Sequence, residues 1–133
     1  MKDIYIYPAI FENDDGGYMV TFPDFKGCIN YGDTIEEALD MASDALSGRI
    51  ACIEGDGDDL PEPTSVKNIT INSEQFVQFI KVYMPPARKN YYEQVIRRNV
   101  TIPRWLDDHA KKDHLNVSAF LQEALKNRYQ AKA

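Results

Sequence analysis

Arg97, Asn99 and Thr101 stand at every second position of the run Val95 to Ile102. In an extended chain successive side chains alternate between faces, so these three share one face, while Ile96, Val100 and Ile102 share the other. A guanidinium, a carboxamide and a hydroxyl are the groups that hydrogen-bond base edges in the DNA major groove. Further on, Asn116-Val117-Ser118 opens a helix. Asn116 is a good N-cap, and the first-turn amides of Val117 and Ser118 form a natural seat for a phosphate. The plainer alternative is a dimerisation tail whose polar strand face merely meets solvent.

Other chemistry finds less support. His109 and His114 are five residues apart, which on a helix sets them about 140° apart and prevents them from sharing a metal ion. Cys28 and Cys52 form no CxxC pair and read as reduced thiols, a disulfide being the alternative. No Walker A, GxGxxG or HExxH pattern is present. Most carboxylates fall in turns (Asp14, Asp15, Asp24, Asp33) or on an exposed helix face (Glu36, Glu37, Asp40, Asp44), where turn chemistry and capping account for them. Asp3, in the first predicted strand, is the lone carboxylate placed for catalysis. No catalytic residue, metal or cofactor is expected.

The elements that position these residues follow from periodicity. Residues 2–11 read as a strand, Asn13 to Gly17 as a hairpin turn with positive φ, and Tyr18 to Phe22 as the return strand. Pro23-Asp24 breaks the ladder before a short third strand near Cys28 to Tyr31. Thr34 and Glu37 fit a capping box. Ile35, Ala38, Leu39, Ala42, Ala45, Leu46 and Ile50 then recur at helical spacing, predicting a helix from Thr34 to Cys52 with one face on the sheet. Glu54 to Ser65 reads as an exposed acidic loop, residues 66–71 as a strand or extended loop, and residues 75–83 as a strand. Met84 to Asn90, with two prolines, reads as a stiff boundary. Beyond it, Pro103 suits the first position of a helix whose face is lined by Trp105, Leu106, His109 and Ala110. Lys111 and Lys112 end that helix. Asp113-His114 forms the following turn, since both tolerate positive φ. Leu115 and Phe120 fit a hydrophobic staple around Asn116.

The chain has 133 residues, room for one ordinary domain or two small ones. Its net charge of −6 hides an asymmetry, because residues 1–88 sum to −10 and residues 89–133 to +4. An acidic half suits a basic partner and a basic half suits a polyanion, the alternative being two solvated surfaces. No apolar run approaches the roughly 20 residues that span a bilayer, and Met1-Lys2-Asp3-Ile4-Tyr5 lacks a signal-peptide core. The default expectation is a cytoplasmic protein that makes no membrane contact. A strand and two helices in some forty residues is too little to close a core alone, so the C-terminal part is expected to dimerise.

The strand, Pro103 and the Asn116 cap together resemble the ribbon-helix-helix DNA-binding family. That resemblance implies two intertwined chains whose paired strands enter the major groove, with Arg97, Asn99 and Thr101 as base readers and Asn116, Val117 and Ser118 as a phosphate clamp. The family often has Gly between the helices, where this chain has Asp113-His114. The N-terminal run is also familiar. Asp15-Gly16-Gly17-Tyr18-x-Val20-x-Phe22-Pro23-Asp24-x-x-Gly27-Cys28, followed by Gly32-Asp33-Thr34-x-Glu36-Glu37-Ala38-Leu39-x-x-Ala42-x-x-Ala45-Leu46, resembles the HicB antitoxin family.

The HicB resemblance implies an α+β protein. Residues 1–88 would form a βββαβ partial RNase H-like domain that binds toxin. Residues 91–133 would form the dimeric ribbon-helix-helix domain. The implied partners are a HicA-like mRNA-cleaving ribonuclease toxin, operator double-stranded DNA and the protein itself, as a dimer or, if N-terminal domains also pair, a tetramer. Asp15, Tyr18, Phe22, Asp24 and Phe25 are the toxin-contact candidates, Phe25 being equally a core residue. The acidic loop is a further candidate. The expected function is an antitoxin that represses its own operon. The alternatives are a ligand-responsive ribbon-helix-helix repressor and an RNase H-like nuclease. The nuclease would need several carboxylates converging on two cations, with Asp3 as the only strand-borne member.

Overall fold

The computed structural model describes residues 1–130; residues 131–133 lie outside the described part. Four strands, β1 (Ile4–Asp14), β2 (Gly17–Phe22), β3 (Phe25–Gly32) and β4 (Gln75–Tyr83), form one antiparallel sheet in the order β3-β2-β1-β4. Helix α1 (Ile35–Gly55) falls between β3 and β4, so the order of elements is the βββαβ expected from the sequence. The β1–β2 hairpin closes through Asp15 and Gly16, both at positive φ, between the paired residues Asp14 and Gly17. Two positive φ values make a turn whose twist matches that of the flanking strands. Pro23-Asp24 does not end the ladder. It is a two-residue connection between the paired residues Phe22 and Phe25, so β3 begins three residues earlier than periodicity placed it.

Helix α1 begins as predicted. Thr34 accepts from the Glu37 amide at 3.1 Å, and the Glu37 carboxylate reaches back to the Asp33 amide at 3.0 Å. The helix runs three residues past Cys52. Ala38, Ala42, Leu46 and Ile50, four residues apart, form its fully buried stripe. They pack on Tyr7, Ala9, Phe11, Val20, Phe22, Phe25, Cys28, Ile80 and Val82. Gly32 is required for this approach, because a Cβ there would collide with the backbone of Ala38. Burial pushes the Cys28 thiol above its ordinary range, whereas Cys52 is exposed; both are free.

The supposed stiff boundary at Met84 to Asn90 is instead the start of a helix, α2 (Met84–Glu93). Pro85 and Pro86 occupy its first turn, where a missing amide costs nothing because those amides have no intrahelical acceptor. Met84 is fully buried and donates its amide to Asp3 O at 2.7 Å. Residues 66–71 hold one 3-10 turn (Val66–Asn68) and no strand.

The chain divides into two compact units, Met1–Val95 and Ile96–Ala133. In the second, α3 (Arg104–Lys112) and α4 (Val117–Arg128) are joined by a tight turn. Leu115 N donates to Ala110 O and His114 N to Lys111 O, with His114 at φ 53°, so histidine fills the left-handed position that glycine usually takes. Pro103 is the N-cap of α3, one position before the expected one. The predicted strand Val95 to Ile102 makes no ladder, because a strand exists only with a pairing partner and one chain supplies none here.

Leu46→Ala removes a fully buried side chain at the centre of the α1 stripe. A loss of about 3 kcal/mol of unfolding free energy is expected for such a truncation. Urea denaturation followed by circular dichroism measures it, with the midpoint lowered and the slope unchanged.

Candidate functional site

The second unit presents its groups without covering its core. Neither α3 nor α4 has a buried residue. Trp105 is 62% exposed and Phe120 61%, and Ile96, Val100, Ile102, Leu106, Leu115 and Leu125 are also exposed. Scattered exposed apolar residues are ordinary, but a unit whose large apolar residues are all exposed save a half-buried Leu121 lacks a core. Arg97, Asn99 and Thr101 are exposed on the extended segment before α3. At the start of α4, Asn116 accepts from the Ala119 amide at 3.0 Å. That leaves the amides of Val117 and Ser118 in the helix's first turn without an intrahelical acceptor. Beside α3's own carboxylate Asp107, at 3.1 Å, Lys111 holds its proton more firmly than a free lysine.

In the first unit the five toxin-contact candidates separate. Asp15 is exposed at the hairpin tip. Tyr18 is half-buried against Phe11 and Phe76, with ring centroids 6.5 and 6.2 Å away. Phe22 and Phe25 are buried, 6.4 Å apart edge to face, with Phe25 also 4.8 Å from Tyr7. Their rings belong to the core under α1, so Phe25 takes its core alternative and Phe22 joins it, against the expectation that Phe22 faces a partner. Asp24 is engaged internally. Its two oxygens accept from the Thr64 amide at 3.1 Å and the Thr64 hydroxyl at 2.6 Å, pinning the long loop between α1 and β4. The same loop is held by the Tyr7 hydroxyl, which donates to Pro61 O at 2.6 Å. Burial, then the charges of Asp24 and of Tyr5 and Glu62, push the Tyr7 hydroxyl above its ordinary range.

Sequence reasoning missed the ion cluster at Arg88. Its guanidinium bonds Glu54 through two nitrogens, at 2.9 and 3.0 Å, and Asp3 at 3.0 Å, and it also reaches Lys2 O. These contacts, Glu54 foremost, raise the Arg88 pKa further above neutrality. Asp3, singled out as a strand carboxylate, therefore meets a guanidinium at the mouth of β1 and not a second carboxylate across a metal. Among the described residues no group of three or more His, Cys, Asp or Glu is arranged to hold a metal ion. The cluster is invisible to periodicity, since its members are 34 and 85 residues apart in the chain.

Sequence reasoning also missed the second face of the sheet. Ile4, Ile6, Ile29, Phe79 and Tyr83 are exposed there, on the side away from α1. The signal is in β1 itself. Tyr5 and Tyr7 alternate with Ile4 and Ile6, so both faces are apolar, as in strands covered on both sides.

The fold and its surfaces define a two-unit α+β protein, with an acidic unit that closes its own core and a basic unit that does not. By sequence, residues 1–95 carry −10 and residues 96–133 carry +4. The family model described as a HicB-like antitoxin of bacterial toxin-antitoxin systems matches residues 7–125, and the chain belongs to that family. An uncharacterised 14.9 kDa protein of Haemophilus phage HP1 is 28% identical over 129 residues, covering 92% of this chain and 96% of that one. Antitoxin HicB 2 of Photorhabdus laumondii is 42% identical over 59 residues, which cover 44% of this chain and 42% of that protein. Among solved structures, a chain of a toxin-antitoxin complex from Streptococcus pneumoniae superposes with TM-score 0.63 and 26% identity, covering 94% of this chain and 99% of that one. The Burkholderia pseudomallei antitoxin HicB shares the fold with TM-score 0.50 at 24% identity, covering 94% and 98%.

The Arg88 cluster yields an asymmetric expectation. Arg88 and Glu54 side chains are 17% and 8% exposed, whereas Asp3 is 64% exposed. Arg88→Met strands the Glu54 carboxylate and is expected to cost about 3 kcal/mol, as removal of one member of a buried pair does. Asp3→Asn breaks a solvent-screened contact and is expected to cost under about 1 kcal/mol. Thermal melting of both variants beside the parent protein checks the order.

Proposed function

We propose that this HicB-like antitoxin neutralises a HicA-like ribonuclease toxin through its acidic N-terminal unit and represses its own operon through its C-terminal unit. In this reading the first unit is a partial RNase H-like domain and the second a ribbon-helix-helix. The observation that carries the DNA-binding half is the uncovered second unit. Its apolar residues need a partner, and a second copy supplies one by pairing the two Val95 to Ile102 segments as an antiparallel ribbon. That pairing turns Ile96, Val100 and Ile102 inward onto α3 and α4 of both chains. It leaves Arg97, Asn99 and Thr101 on the outer face, where they meet base edges, while Asn116, Val117 and Ser118 hold a phosphate. The two-fold axis of such a dimer requires inverted half-sites in the operator.

The toxin-binding half rests on family membership and on charge. A unit of −10 attracts a basic protein and speeds its encounter. The protein acts by covering its partner and has no catalytic role. The internal engagement of Asp3 with Arg88 supports that reading over the nuclease alternative. The toxin surface lies among groups that are free to meet it, Asp15 and the exposed acids of the long loop.

Arg97→Ala is expected to abolish operator binding in a gel shift, a loss of roughly a hundredfold or more because both half-sites lose a base contact worth about 1–3 kcal/mol. Toxin binding is expected to survive. Unchanged operator affinity would refute the assignment of the strand face. Coexpression with the product of the adjacent gene is expected to give a stable complex by native mass measurement and to rescue growth. Neither a complex nor rescue would refute the antitoxin assignment for this chain and favour a ligand-responsive repressor.

A further inference from the structure

The first half of β1 has an open edge inside the sheet. Asp3 O accepts from Met84 N, and Asn13 N donates to Glu74 O, so the odd-numbered residues of this strand bond toward β4. The even-numbered residues therefore point their amides and carbonyls the other way. From Ile10 onward they meet β2, whose pairing with β1 covers Ile10 to Asp14. Ile4 and Ile6 have no such neighbour, and their outward backbone groups have no hydrogen-bond partner among the described residues, whereas Pro8, next in line, is fully buried. Pro8 sits in this strand without loss of a ladder bond because its missing amide faces away from β4.

This edge faces a wall. The loop after α1 runs past it, fixed by the Tyr7 hydroxyl on Pro61 and by Asp24 on Thr64. Between edge and loop lies a groove of about 530 Å³, lined by Ile4, Ile6 and Tyr7 on one side and by Asp58, Asp59 and Glu62 on the other. All three acids are exposed, and Lys2 is the single basic side chain in the lining. The outer edges of β3 and β4 pair with no further strand among the described residues, and neither strand lines this groove.

We infer that this groove takes an extended, lysine- or arginine-bearing segment of a partner protein, added as a strand beside Ile4 to Ile6. An open edge supplies main-chain hydrogen bonds, and pockets for alternate side chains supply selectivity. Strand neighbours sit about 4.8 Å apart, so basic side chains on the added strand would reach the carboxylates of the loop. Such burial also removes the hazard that an open, apolar edge poses. The inference rests on the proposed antitoxin reading, in which the partner is the toxin, and specifies how that partner is held.

Amide hydrogen exchange on the full chain, free and in complex with the coexpressed product of the adjacent gene, tests it. The Ile4 and Ile6 amides are expected to exchange freely in the free protein and at least about tenfold more slowly in the complex. Ile6→Pro removes one outward donor and leaves the β4 ladder intact, and it is expected to weaken the complex at least about tenfold. The triple change D58K/D59K/E62K alters only exposed side chains, so it tests the wall even if the proline variant fails to fold, and the same loss is expected. A complex that forms with Ile4 and Ile6 unprotected, or that tolerates the triple reversal, overturns the inference while the antitoxin reading stands. Absence of any complex overturns both.

Discussion

The packing of α1 on the sheet is the contact on which the first unit depends. Ala38, Ala42, Leu46 and Ile50 are the fully buried residues of its stripe, and every strand contributes side chains beneath them. Ala38 lets the helix come close to Gly32 at its start, while Leu46 and Ile50 are the larger fully buried members of the stripe. Close packing of this kind makes the sheet's inner face a single cooperative body. The loop, the acidic surface and α2 then have a rigid frame to hang from.

The second unit lacks any counterpart to that contact. It has well-formed local structure, an Asn116 cap and a tight inter-helix turn built on His114, but no residue of α3 or α4 is buried. Helices this short are marginal in water without tertiary packing. In the proposed reading a second copy supplies the packing that these helices lack. This physical need gives a dimeric reading its force, and it makes DNA binding and assembly inseparable in the proposed function.

Charge divides the molecule along the same line. The acidic unit closes its own core under α1 and offers exposed carboxylates on a loop that is pinned at two points. Where carboxylates do gather near the start of β1, a guanidinium already sits between them. Arg88 thereby ties α2 to α1 and to the N-terminal strand, and the chain leaves the first unit from a fixed position. Asp58, Asp59 and Glu62 stay exposed to solvent, so in the proposed reading they remain free to attract a basic partner.

The sequence by itself determined whatever depends on near neighbours. The Asp15-Gly16 turn, the Thr34 and Asn116 caps, the α1 stripe and the left-handed His114 are decided within a few residues, and each was legible. The motifs between Asp15 and Leu46 likewise carry the resemblance to the family to which the chain belongs. Other features were decided only by the tertiary structure. Pro85 and Pro86 read as a linker, yet they start α2, because burial of Met84 and the Arg88 ion pairs favour a helix there. Phe25 was legible equally as a core or a contact residue, and it is core because β3 starts early enough to turn it under α1. The open edge of β1 depends on where β2 stops relative to a strand and a loop far away in the chain. Register and burial arise from pairs of residues many tens of positions apart, and no local pattern encodes which pairs will meet.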